Sequence, residues 1–139
     1  MSLFRLVNRK GFQMEFDNGL TVSVMFGEGN YCERRHSTSM YKALTGGENE
    51  LRKLILDPWE SKNAGVAVWR TSDSQWASIA RYGDENRWSG DPVGYVSPDL
   101  VARIIAYVGH PDTYMTDRGR LSQKGSTDVL DVSKWEGEE

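Results

Sequence analysis

Apolar and polar residues alternate most regularly between Gly11 and Cys32, in GFQMEFDNGLTVSVMFGEGNYC, and that stretch predicts a β-hairpin. Phe12, Met14 and Phe16 alternate with Gln13 and Glu15, while Leu20, Val22, Val24 and Phe26 alternate with Thr21, Ser23 and Met25. A two-residue Asn18-Gly19 loop would set Phe16 against Thr21 and mismatch the apolar faces, because a one-residue slip turns every side chain over. A three-residue loop, Asp17-Asn18-Gly19, instead pairs Phe16 with Leu20, Met14 with Val22 and Phe12 with Val24, and gives Gly19 the left-handed position of a bulged turn.

Alternation returns between Gly65 and Arg81. Val66, Val68, Ala77 and Ile79 form one set, and Ala67, Trp69, Trp76, Ser78 and Ala80 the other. A turn at Thr71-Ser72-Asp73-Ser74, with a two- or four-residue loop, pairs Trp69 with Trp76, Val68 with Ala77 and Val66 with Ile79. The aliphatic set is expected to face the core and the tryptophans to point away, over a shallow floor of Gly65, Ala67, Ser78 and Ala80. Leu3 to Val7 and Val93 to Val96 read as further short strands.

Ser97-Pro98-Asp99 marks a helix start: a capping hydroxyl, a proline at the first helical position and a carboxylate at the positive end. Leu100, Val101, Ile104, Ile105 and Val108 make one apolar stripe, with Arg103 and Tyr107 toward its edges, and Gly109 closes the helix. Residues 39–56 read as a short helical excursion from the sheet. The expected fold is therefore α+β: an antiparallel sheet of two hairpins with one principal helix, about 98–108, packed on it. Residues 1–110 form the domain, and 111–139 read as a polar acidic arm or disordered tail.

The 139 residues suffice for one domain that buries roughly 68% of its unfolded surface. A single cysteine, Cys32, excludes an intrachain disulfide framework and fits a reducing cytoplasm. The first residues hold too short an apolar run for a signal peptide, and no stretch reaches the roughly 18 apolar residues of a membrane span. Net charge is −3: residues 1–110 carry 13 basic and 13 acidic side chains, and residues 111–139 carry 4 and 7. A neutral body lacks the field of a general DNA binder but can hold a local cationic pocket.

Gly11-Phe12, Asn18-Gly19, Thr21-Val22-Ser23-Val24, Phe26-Gly27, Gly29-Asn30-Tyr31-Cys32 and Gly94-Tyr95-Val96-Ser97-Pro98 together resemble small uncharacterised proteins encoded by tailed bacteriophages. The resemblance covers about half the chain and leaves residues 33–63 and the tail unmatched. It implies an accessory protein acting in the cytoplasm of an infected bacterial host, and it transfers no catalytic or binding residue.

Four sets of residues invite chemistry. Cys32 and His36 suggest a thiolate and its base, with Arg34 and Arg35 to lower the thiol pKa, but no orienting third group or oxyanion loop accompanies them. Cys32, His36 and His110 match no closed zinc spacing, so no metal or other cofactor is expected. Gly27-Glu28-Gly29-Asn30 with Arg34 and Arg35 could cradle an anion, although it lacks the Walker and dinucleotide fingerprints. Trp69, Trp76, Tyr82 and Trp88, interleaved with Arg70, Arg81 and Arg87, supply the rings and guanidinium planes that stack a nucleobase. The competing reading of this set is a cross-strand tryptophan pair covered by the excursion or by a second subunit.

The expected binding residues are thus Trp69, Trp76, Arg70, Arg81, Trp88, Arg34 and Arg35. The expected function is stoichiometric capture, without catalysis, of a small nucleotide-like ligand or a host protein, in the service of countering host antiviral defence, by a protein that forms homo-oligomers. The alternatives are a structural or assembly accessory of the virion and a small hydrolase using Cys32 or a carboxylate.

Overall fold

The computed structural model of the chain describes residues 2–7, 10–26, 61–82, 87–90 and 92–135. Its centre is a five-stranded antiparallel sheet of β1 (Leu3–Val7), β2 (Gly11–Glu15), β3 (Leu20–Met25), β4 (Ala64–Arg70) and β7 (Val93–Val96), in the order β1-β2-β3-β4-β7. Two small hairpins accompany it: β5 (Arg81–Tyr82) with β6 (Arg87–Trp88), and β8 (Thr113–Met115) with β9 (Leu121–Gln123). Helix α1 (Pro98–Val108) packs on β3 and β4, and a 3-10 turn spans Val132–Lys134. The α+β class expected from the sequence is the class observed.

The first hairpin has the expected register, with Met14 opposite Val22 and Phe12 opposite Val24. The Phe16 N–H donates to the Leu20 carbonyl at 2.9 Å, the Gly19 N–H donates to that of Phe16 at 3.1 Å, and Gly19 takes φ +85°. Core matching and turn geometry select the same loop, so nothing opposes that register. The helix begins and ends as expected: Ser97 Oγ accepts from the Leu100 N–H at 3.3 Å, and the Gly109 N–H bonds the Ile105 carbonyl at 2.9 Å. Leu100, Ile104 and Val108 are buried against Leu20, Val22, Val24, Val66 and Val68.

The hairpin turn also finishes the helix. Asn18 Nδ2 donates to the carbonyl of Val108 (2.7 Å), a group left without an intrahelical partner at the helix C-terminus, and to that of His110 (3.1 Å), which also accepts the Thr113 N–H at 3.0 Å. Phe16 lies so close that a Cβ at position 109 would stand 2.8 Å from its ring, which accounts for glycine there independently of φ.

Two expectations are corrected. First, the second hairpin closes at Trp69 and Trp76 around a four-residue loop, and the Ala77 N–H reaches the Val68 carbonyl at 2.8 Å, but Val66 pairs with Val93 of β7 and not with Ile79. The chain leaves β4 because residues 78–80 bond elsewhere: the Ser78 N–H to Gly119, the Val132 N–H to Ile79 and the Ser89 N–H to Ala80. Second, residues 112–135 are not an extended or disordered arm. Leu121, Leu130 and Val132 are 0 to 3% exposed and complete the core around Ile79. Trp135 lies between Tyr107 (centroids 6.0 Å apart, edge to face) and the Arg103 guanidinium (4.2 Å), so polar composition concealed a few well-placed apolar anchors. The helical excursion expected at 39–56 lies outside the described residues.

Candidate functional site

Trp69 and Trp76 meet across the mouth of the β4 turn, with ring centroids 6.2 Å apart and planes inclined by 21°. Trp69 is half-buried and Trp76 is 46% exposed, so the outer ring of the stack is presented to solvent. The floor behind them is not open, contrary to expectation. Gly65 and Ala67 are buried, as are Thr21 and Ser23 beside them, and Thr21 shares a 2.7 Å hydroxyl contact with Thr71.

Arg70 is committed to the turn. Its Nη2 donates to Asp73 Oδ2 at 2.6 Å and to Gln75 Oε1 at 2.7 Å, and its Nε donates to Asp73 Oδ1 at 3.1 Å. This bidentate pair, reinforced by the Gln75 N–H on the carboxylate, holds Asp73 down at about 2 and pushes the Arg70 guanidinium above its ordinary value. The sequence placed Arg70 among ligand-binding residues; the structure makes it the brace of the tryptophan turn.

Arg81 and Trp88 do come together, as directly opposed residues of β5 and β6, with the guanidinium 4.8 Å from the ring centroid. Arg120, from the loop between β8 and β9, places a second guanidinium 4.8 Å from the same ring. Sequence reasoning missed Arg120 because it treated the tail as unstructured. The signal was present, since Asp117-Arg118-Gly119 repeats the Asp-x-Gly loop of the first hairpin. It closes the same way: the Gly119 N–H on Thr116 at 3.0 Å, the Thr116 N–H on Arg120 at 2.7 Å, and φ +77° at Gly119.

The two aromatic groups share that loop. The Gly119 carbonyl accepts from the Ser78 N–H at 2.7 Å, two residues beyond Trp76, and the next residue lies over Trp88. The charge is partly compensated: Arg81 Nε lies 3.3 Å from Asp131 Oδ2, and Asp131, 4% exposed, also takes the Ser133 hydroxyl at 2.6 Å and caps the 3-10 turn. Among the described residues, two guanidinium groups and one buried carboxylate thus gather around Trp88. Arg120 Nε is buried with no hydrogen-bond acceptor.

Arg34 and Arg35, the glycine turn 27–30, Cys32 and His36 lie outside the described residues. His110 uses Nδ1 to accept the Asp112 N–H at 3.1 Å, and no cluster suited to a metal ion occurs among the described residues. An apolar hollow of about 280 Å³ lies between α1 and β3, lined by Phe26, Val96, Val101 and Ile105, and a polar one of about 330 Å³ lies beside Trp135. Neither is lined by Trp69, Trp76 or Trp88. No described helix is long and apolar enough to cross a membrane. Neither a family model nor a curated protein nor a solved structure matches the chain.

Proposed function

We propose that this chain is a non-enzymatic binding protein that captures a small, flat, anionic ligand of nucleotide type on the surface formed by Trp76, Trp88, Arg81 and Arg120. What supports this reading above all is the convergence of two guanidinium groups on one indole, each 4.8 Å from its centroid. A phosphate settling beside Arg81 and Arg120 pairs with their guanidinium charge, and the exposed face of Trp76 offers a plane for a base. Capture needs no general acid or nucleophile. In the setting that the phage resemblance implies, holding such a ligand out of circulation blunts a host defence.

The test is titration of the purified chain with nucleoside mono- and diphosphates, read by quenching of tryptophan fluorescence and by calorimetry. Stacking is worth about 1–3 kcal/mol per base, so Trp76→Ala weakens binding roughly 5- to 150-fold. Arg120→Ala weakens nucleotides more than nucleosides. Absence of binding by the unaltered chain at millimolar nucleotide, or binding indifferent to both substitutions, refutes the proposal.

A further inference from the structure

The two edges of the central sheet are treated differently. At the β7 edge the register slips between Ala64 and Val66, and Tyr95 takes φ +56°, a left-handed conformation unusual for any residue but glycine. A bulge of this kind twists an edge away from further pairing. At the β1 edge the register with β2 runs unbroken through five pairs, with no proline and no bulge. Phe4 and Leu6 stand on the helix side of this strand, 76% and 86% exposed.

The hydrogen-bond phase shows what that edge presents. Because Phe16 bonds Leu20, the alternate residues Met14 and Phe12 turn their backbone groups toward β3, and Gly11, Gln13 and Glu15 turn theirs toward β1. Leu3, Arg5 and Val7 are therefore the β1 residues bonded to β2, and Phe4 and Leu6 direct their N–H and C=O groups outward. The most exposed apolar side chains of the edge and its free backbone groups belong to the same two residues.

We infer that β1 is the contact between two copies of this chain, pairing antiparallel with itself about a two-fold axis at Arg5. In this register Phe4 lies opposite Leu6 of the second copy, and the reverse, in hydrogen-bonded pairs. The two sheets join into one of ten strands. The segment Leu3-Phe4-Arg5-Leu6-Val7 is apolar on both sides of a central arginine, so it is complementary to its own reverse, as a two-fold contact requires. The four side chains then extend the apolar layer that Phe12 and Met14 begin. The two Arg5 residues meet across the axis on the opposite face. Each guanidinium is drawn back over β2 by Glu15 at 3.0 Å and Gln13 at 3.5 Å, which separates the like charges.

Sedimentation velocity over a hundredfold concentration range tests this, beside Leu6→Lys. The unaltered chain shows a reversible dimer, and Leu6→Lys raises its dissociation constant at least about tenfold, since each substitution acts twice in a symmetric pair. The thermal midpoint of the Leu6→Lys monomer stays within about 2 °C of the unaltered monomer's, because Leu6 buries little of its surface in one copy. A second variant reads the register. Arg5→Cys, in a Cys32→Ser chain shown to melt like the unaltered one, forms an intermolecular disulfide on mild oxidation, whereas Leu3→Cys in the same chain, which faces Val7 of the second copy, does not. A monomer throughout, which would leave the edge to a foreign strand, overturns the inference. So does a dimer that ignores Leu6→Lys, or equal cross-linking from positions 3 and 5.

Discussion

Replacing Leu121 by alanine separates a built-in C-terminal segment from a tail that merely follows the fold. Leu121 is fully buried, packed with Leu130 and Val132 from its own segment and facing the core formed by the sheet and helix. Leucine-to-alanine changes at such sites cost about 2–5 kcal/mol, rising with the volume of the cavity that the surroundings fail to close. Here the surroundings are held by short pairings and an isolated bridge at Ser122 and Val129, which can shift inward, so we expect about 3 kcal/mol. For a chain of this length the entropy of unfolding is roughly 0.3 kcal/mol/K, and the midpoint should fall by about 10 °C. Thermal melts followed by circular dichroism, with urea titrations at 25 °C, measure both numbers. Lys124→Ala, an exposed change in the turn beside β9, should move stability by no more than about 0.5 kcal/mol. A loss below about 1 kcal/mol for Leu121→Ala would show that residues 112–135 are not part of the cooperative unit and would refute the reasoning.

Asn18→Ala should cost about 1–2 kcal/mol in urea unfolding, because the part-buried Val108 carbonyl loses its donor while that of His110 keeps the Thr113 N–H; Asn18→Asp should cost more at neutral pH, where a carboxylate faces two carbonyls at the negative end of a helix. Asp73 should titrate near 2 by carboxyl NMR, and Arg70→Ala should return it toward 3.8. Since its folded pKa is the lower one, whatever stability the pair lends the turn is present above the ordinary carboxylate range and is lost as pH falls toward 2.

What could be read from the sequence was whatever one local signal determined. The Asp17-Asn18-Gly19 loop, the Ser97-Pro98 helix start and the Trp69–Trp76 pair each rest on contacts within a few residues of one another along the chain or across one turn. The departure of residues 78–80 from β4 depends on partners at Gly119 and Val132, far along the chain, and alternation alone would have kept Ile79 against Val66. The site divided the same way. Arg81 and Trp88 are close in sequence and meet, Arg120 arrives from a segment whose polarity hid its hairpin, and Arg70 was claimed by Asp73 only three residues away.

The dependence of the core on residues 121–132 sets an order of events during synthesis. The first hairpin leaves the ribosome early, with Leu20, Val22 and Val24 already aligned on one face. Helix α1 and then Leu121, Leu130 and Val132 follow much later. At about 5–20 residues per second in translation, that face waits on the order of ten seconds for its last cover. During that interval the nascent chain offers an apolar surface and an open β1 edge together, so a chaperone that binds extended apolar strands has its opportunity then and loses it when Val132 bonds Ile79.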